Sequence, residues 1–319
     1  MLTRREIGKL VLAALPGSRL LVDRAPAFAA AKPNSKFAGV QVGLNVPYNF
    51  GNNLMSGDET LARCLELGVS GVELRSQPVE GFLGSPAAAG RGGAAGGGGG
   101  TPTPAQVAAR KAAAEELRVW RLAVSMDKVK AFRKKWDDAG VRIEIVKYDG
   151  IYAMSDGEID YCFTLANTLG ARAISCEMSV DDTKRIGQFA DTHKMMVGYH
   201  GHAKATPAMW ETAFSYAKYN GANVDLGHFV AGNDTSPIPF ITQHHDRITH
   251  IHVKDRKLHD GPNVPFGQGD TPIKEALQLI RDKKWPIQAT IEFEYPVPPG
   301  SDRMAEMAKC IQYCKDALG

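Results

Sequence analysis

Histidine and carboxylate side chains recur at the ends of short apolar runs along this 319-residue chain. Glu177 closes Ser175-Cys176-Glu177-Met178, and Tyr199-His200-Gly201-His202 and Asp225-Leu226-Gly227-His228 follow. His250-Ile251-His252-Val253-Lys254-Asp255 and Glu292-Phe293-Glu294 come next, and Glu73-Leu74-Arg75 stands in the same setting earlier in the chain. Of nine histidines, five fall in these segments: His200, His202, His228, His250 and His252. A single strand-end glutamate is more often a salt-bridge partner, and a lone histidine more often a satisfied core residue. Recurrence at the same point of successive strands is the signal. Oxygen and imidazole donors converging without thiolates suit Mn²⁺, Zn²⁺, Co²⁺ or Mg²⁺. Alternation along a strand puts His250 and His252 on one face, with His252 nearer the strand's end. His193, His244, His245 and His259 have no comparable setting; His244-His245 reads as a loop between helix and strand.

The elements that would position these groups alternate along the chain. Apolar, β-branched runs cover Val40–Val46, Val69–Leu74, Val141–Val146, Ala173–Met178, Met195–Tyr199, Ala222–Leu226, Ile248–Val253 and Ile287–Phe293. Helical periodicity covers Thr60–Leu67, Ala105–Val119, Met126–Asp138, Glu158–Leu169, Asp181–His193, Met209–Tyr219, Ile273–Lys283 and Asp302–Leu318. Ser155 and Glu158 have the spacing of a capping box. Eight strands alternating with helices predict an α/β fold, a single-domain (β/α)8 TIM barrel, with functional groups at the carboxyl ends of the strands. An open doubly wound sheet is the alternative, and no GxGxxG follows the first strand to support its dinucleotide-binding form. The segment 84–104 (GSPAAAGRGGAAGGGGGTPTP) breaks the rhythm and predicts a flexible surface insertion. It has almost no side chain with which to grip a substrate, so a tolerated insertion is favoured over a lid.

Charge is distributed unevenly. Residues 1–29 hold Arg4, Arg5, Lys9, Arg19 and Arg24 against Glu6 and Asp23, a net +3 that equals the formal charge of the whole chain. The remaining body is neutral and offers no long-range attraction to a phosphate backbone. Arg4-Arg5, the apolar stretch Leu10 to Leu15 and Ala27-Phe28-Ala29 predict a twin-arginine export signal over 1–29, ahead of a barrel domain at 30–319. A basic amphipathic first helix is the competing reading. Export places the protein in the periplasm, with the cytoplasm as the alternative, and the stretch is too short to span a bilayer. Five scattered cysteines define no disulfide framework, and Cys310 and Cys314 read as half-buried helix residues.

Together these motifs resemble the xylose-isomerase-like barrel superfamily, which includes sugar isomerases, ketose 3-epimerases, inosose dehydratases, dehydroshikimate dehydratases and endonuclease IV. The likeness lies in Leu67-Gly68-Val69-Ser70-Gly71-Val72-Glu73-Leu74, the histidine and aspartate motifs above, Phe266-Gly267-Gln268-Gly269-Asp270 and Ile291-Glu292. The resemblance implies one divalent metal ion held by two glutamates, an aspartate and a histidine. By motif these are Asp225, His252 and Glu292; Glu177 is the fourth, with His202 in reserve, because the fifth strand offers imidazoles where the epimerases carry a glutamate. The implied activity is a metal-dependent sugar isomerase or epimerase that abstracts a proton beside a metal-bound carbonyl to give an enediolate. A lyase or hydratase acting on 3-keto-glycosides or related oxidised sugars is the alternative. Glu177, His200, His202, His228, Lys254 and Glu292 are the implied catalytic residues, with Asp255 orienting Lys254. The implied partner is a small sugar, with no nucleic acid and no membrane insertion; oligomeric state stays open. The neutral body and the single-metal ligand set argue against the endonuclease class. Arg256 and Lys257 are the candidates for binding a phosphate, which an exported enzyme has little reason to recognise.

Overall fold

The computed structural model describes residues 32–89 and 103–319. The predicted export signal and the glycine-rich run 90–102 lie outside the described residues. Eleven strands are present: β1 (Lys36–Phe37), β2 (Val40–Val46), β3 (Gly71–Arg75), β4 (Arg142–Lys147), β5 (Ala173–Glu177), β6 (Met196–His200), β7 (Asn220–Asp225), β8 (Ile248–Val253), β9 (Asp255–Arg256), β10 (Asn263–Val264) and β11 (Gln288–Ile291). Eight of them, β2 to β8 and β11, pair in parallel around a closed ring, and the β2–β3 pairing completes it. Surrounding helices make this a single (β/α)8 barrel, as the alternation of β-branched runs and helical periodicity predicts. Each of the eight runs contains its barrel strand to within two residues at either end.

Local chemistry sets the helix ends. The capping box at Ser155 forms, with the Ser155 N–H donating to Glu158 Oε2 at 2.9 Å. A second box, Thr103 with Gln106, opens the helix Pro104–Ala123, where proline at the first turn has no N–H to leave unpaired. The predicted insertion differs at its edges, because Pro86–Ala89 is helical and the next helix begins at Pro104. Four short helices escape the periodicity reading, among them Ser76–Phe82 and Leu226–Asn233. The His244-His245 loop is a correction too: His244 ends the helix Ile238–His244, and His245 stacks on Trp285 at 4.5 Å. Cys310 and Cys314 are fully buried rather than half-buried.

The apolar core fills the layer between strands and helices, with Trp136, Trp210, Phe132 and Phe163 nearly inaccessible. The interior toward the carboxyl ends of the strands is different. Asn45, Glu73, Lys147, His200, Asp225 and His252 are all buried there. Buried charge at this density costs stability unless it is paired or bound to an ion, so its arrangement points to function.

Candidate metal centre

Each of four side chains at the strand ends is anchored through one polar atom and presents the other. Asp225 ends β7 and caps the helix Leu226–Asn233: its Oδ1 accepts the His228 N–H at 2.8 Å, leaving Oδ2 inward. Glu292 follows β11, and its Oε1 accepts from Asn45 Nδ2 at 2.8 Å, leaving Oε2. His252 of β8 donates Nε2–H to Glu73 Oε2 at 2.5 Å, leaving Nδ1. His200 of β6 donates Nδ1–H to Glu177 Oε2 at 3.1 Å, leaving Nε2. The four presented atoms converge. His200 Nε2 lies 3.5 Å from Asp225 Oδ2 and 3.9 Å from Glu292 Oε2; His252 Nδ1 lies 3.8 and 3.4 Å from the same two oxygens.

This donor set fits a divalent ion. Ligand atoms bonded at about 2.1 Å in a tetrahedral shell are about 3.4 Å apart, close to the separations seen. His252 Nδ1 is buried and makes no hydrogen bond. The carboxylates Glu73, Glu177, Asp225, Glu292 and Glu294 face only two lysines, Lys147 and Lys254, so the pocket has an excess of negative charge. Burial opposes ionisation of Asp225, yet Lys254 and His228 hold its pKa below the usual range. Burial likewise opposes charge on His252, but Glu292 and Glu73 raise its pKa to about 10.

Glu177 lies outside this converging group. Its Oε1 pairs with buried Lys147 at 2.8 Å, and its Oε2 meets both His200 and His202, the latter at 2.7 Å. His202 sits at the mouth with 60% of its side chain exposed, and the hydrogen bond to Glu177 raises its pKa. Lys254 Nζ approaches from a third side, 3.0 Å from Asp225 Oδ2 and 2.7 Å from both Glu292 Oε2 and Glu294 Oε2. His228 lies between two cationic donors, with Nδ1 2.8 Å from Arg256 and Nε2 3.1 Å from Lys254 Nζ. Burial lowers the His228 pKa to about 4, and that ring is neutral at pH 7.

Two expectations are corrected. Asp255 does not orient Lys254; it accepts backbone N–H groups from Gly267 at 2.8 Å and Gly269 at 2.9 Å, pinning the loop after β10. A β-carbon on Gly269 would collide with that carboxylate, which explains the glycine. Arg256 is buried against His228 and the Gly261 carbonyl, so it is not free for a phosphate. Sequence reasoning assigned no role to Glu73, Asn45, Lys147 or Glu294. The available signal was a charged residue at or near a strand's carboxyl end in three cases, and none for Asn45.

Residues 172–315 match the family model described as Xylose isomerase-like TIM barrel. No curated protein sequence matches the chain. Among solved structures, a xylose isomerase domain protein from Planctomyces limnophilus is 15% identical, with TM-score 0.59 over 88% of this chain and 97% of that one. The probable 3-DHS dehydratase involved in petrobactin synthesis from Bacillus anthracis is also 15% identical, with TM-score 0.57 over 86% and 98%. The 3-keto-D-glucoside 4-epimerase from E. coli is 13% identical, with TM-score 0.56 over 87% and 99%. At these identities the likeness is one of fold, that of a (β/α)8 barrel. Among the described residues no helix is long and apolar enough to cross a membrane.

Proposed function

We propose that the chain is a divalent-metal-dependent sugar isomerase or epimerase that works by proton abstraction beside a carbonyl. The observation that supports this most is the convergence of His200, Asp225, His252 and Glu292, each anchored so that one donor atom is offered. In this reading these four hold the ion, and Glu177 holds His200 rather than ligating. When bound, the ion would act as a Lewis acid on a sugar carbonyl and its neighbouring hydroxyl. The chain's own groups do the rest. Lys254, set beside His228, offers a hydrogen bond to negative charge developing on the substrate oxygen. Glu292 takes the proton from carbon, and His202, whose pKa the Glu177 hydrogen bond raises, returns one from the mouth. The epimerases among the structures of this fold are consistent with that chemistry.

The position of His202 also favours a second reading. An exposed imidazole with a raised pKa is suited to donate to a departing oxygen, the need of a lyase or hydratase acting on 3-keto-glycosides, and a probable dehydratase shares the fold. The metal-loaded protein should be incubated with aldoses, ketoses and 3-keto-glycosides, and the products read by NMR and mass spectrometry. Altered configuration or carbonyl position at unchanged mass supports the isomerase reading. Release of aglycone or water, with ordinary sugars untouched, replaces it with the lyase. Inertness toward all three classes counts against both.

A further inference from the structure

Beneath the candidate centre lies a fully buried cluster, Glu73, His250 and Thr249, of which Glu73 hydrogen-bonds His252. We infer that Glu73 is a positioning residue that fixes which nitrogen of His252 is offered to the centre. The inference rests on the reading of His252 as a ligand.

Glu73 Oε2 lies 2.5 Å from His252 Nε2, so that nitrogen donates its hydrogen there, and Nδ1, without a hydrogen-bond partner, faces Asp225 and Glu292. Asn223 Nδ2 lies 3.0 Å from the same His252 nitrogen while its Oδ1 has no partner. Turning that amide over removes the donor–donor contact by placing Oδ1 against the same N–H. Glu73 Oε1 lies 3.2 Å from His250 Nε2 and neither atom makes a hydrogen bond, while His250 Nδ1 is 2.8 Å from Thr249 Oγ1. Thr249 in turn donates to the Ala222 carbonyl at 3.1 Å, so its oxygen accepts from His250 and fixes that ring. Gly198 leaves the space, since a β-carbon there would strike Thr249 and approach His250 Cε1 at 3.4 Å. Glu73, His250 and His252 are also near enough to be read as a second metal site. The 2.5 Å contact argues against it. Two ligands bonded to one ion at about 2.1 Å cannot approach so closely at tetrahedral or octahedral angles. A carboxylate behind a ligating histidine orients the ring and raises its basicity.

The test is a competition titration of Mn²⁺ or Zn²⁺ against a chromogenic chelator, with thermal melts of every variant. Glu73→Gln should weaken binding about 10-fold and Glu73→Leu about 100-fold, with the stoichiometry still one ion per chain. Affinity equal to wild type in both variants overturns the inference. A wild-type protein that binds no divalent ion defeats the ligand reading instead. A measurement on the unaltered protein stands if the variants do not fold. Long-range ¹H–¹⁵N spectra of the zinc-loaded wild type should show His252 protonated at Nε2 and metal-shifted at Nδ1; a bare Nε2 overturns the assignment.

Discussion

Asp225 uses its two oxygens for different purposes, one as a helix cap and one for the centre. Asp225→Ala should therefore fail twice. It should lose the bound ion, and it should cost about 1 kcal/mol of folding stability in metal-free urea melts through the missing cap. Asp225→Asn keeps an oxygen for the cap and should lose only the ion. His200→Ala and Glu177→Gln separate a ligand from the group behind it. Metal analysis should find the ion absent in the first and retained, more weakly bound, in the second; the reverse result restores Glu177 as the ligand. At this scale the sequence revealed the residue types and their strand-end positions, including Asp225, His252 and Glu292. It did not reveal rotamers or partners. Whether Glu177 faces the ion or the imidazole of His200 depends on Lys147, which arrives from a strand thirty residues earlier. Asp255 was misread for the same reason, because the motif at 266–270 did not show that its Gly267 and Gly269 N–H groups turn back onto this carboxylate.

The barrel strands were legible because each lies in or beside a short, largely apolar run between helical segments with a polar face. Leu226–Asn233 was not, because it leaves its strand without a loop and is buried on nearly every side, so it shows no amphipathic period. The helix Pro104–Ala123 was legible, but its attachment was not. Arg121 near its end is buried between Glu80 and Glu158, at 2.9 and 3.1 Å. Removing the guanidinium leaves two buried carboxylates without a cation. Arg121→Leu should cost about 3–5 kcal/mol in chemical denaturation. Lys130→Ala, which breaks the exposed Lys130–Asp127 pair, should leave the midpoint unchanged. Equal effects of the two would mean that the buried triad does not tie this helix to the barrel.

Across the whole molecule, the closed parallel ring brings groups from β6, β7, β8 and β11 to one point, and the negative excess there is a property of the assembled barrel. Binding of an ion to the folded state alone stabilises it by mass action, about 2.7 kcal/mol at one hundred times the Kd. Melting temperature should rise with Mn²⁺ and fall on chelation in the wild type, and should respond to neither in Asp225→Asn. The measurement that bears most directly on the proposed chemistry is hydrogen exchange at the carbon beside the substrate carbonyl, followed by NMR in D₂O. Both the isomerase and the lyase reading begin with that proton. The metal-loaded wild type should introduce deuterium at that carbon, and both the chelated protein and Asp225→Asn should not. Exchange that survives chelation, or turnover of a sugar without exchange at that position, would contradict metal-dependent proton abstraction at this centre.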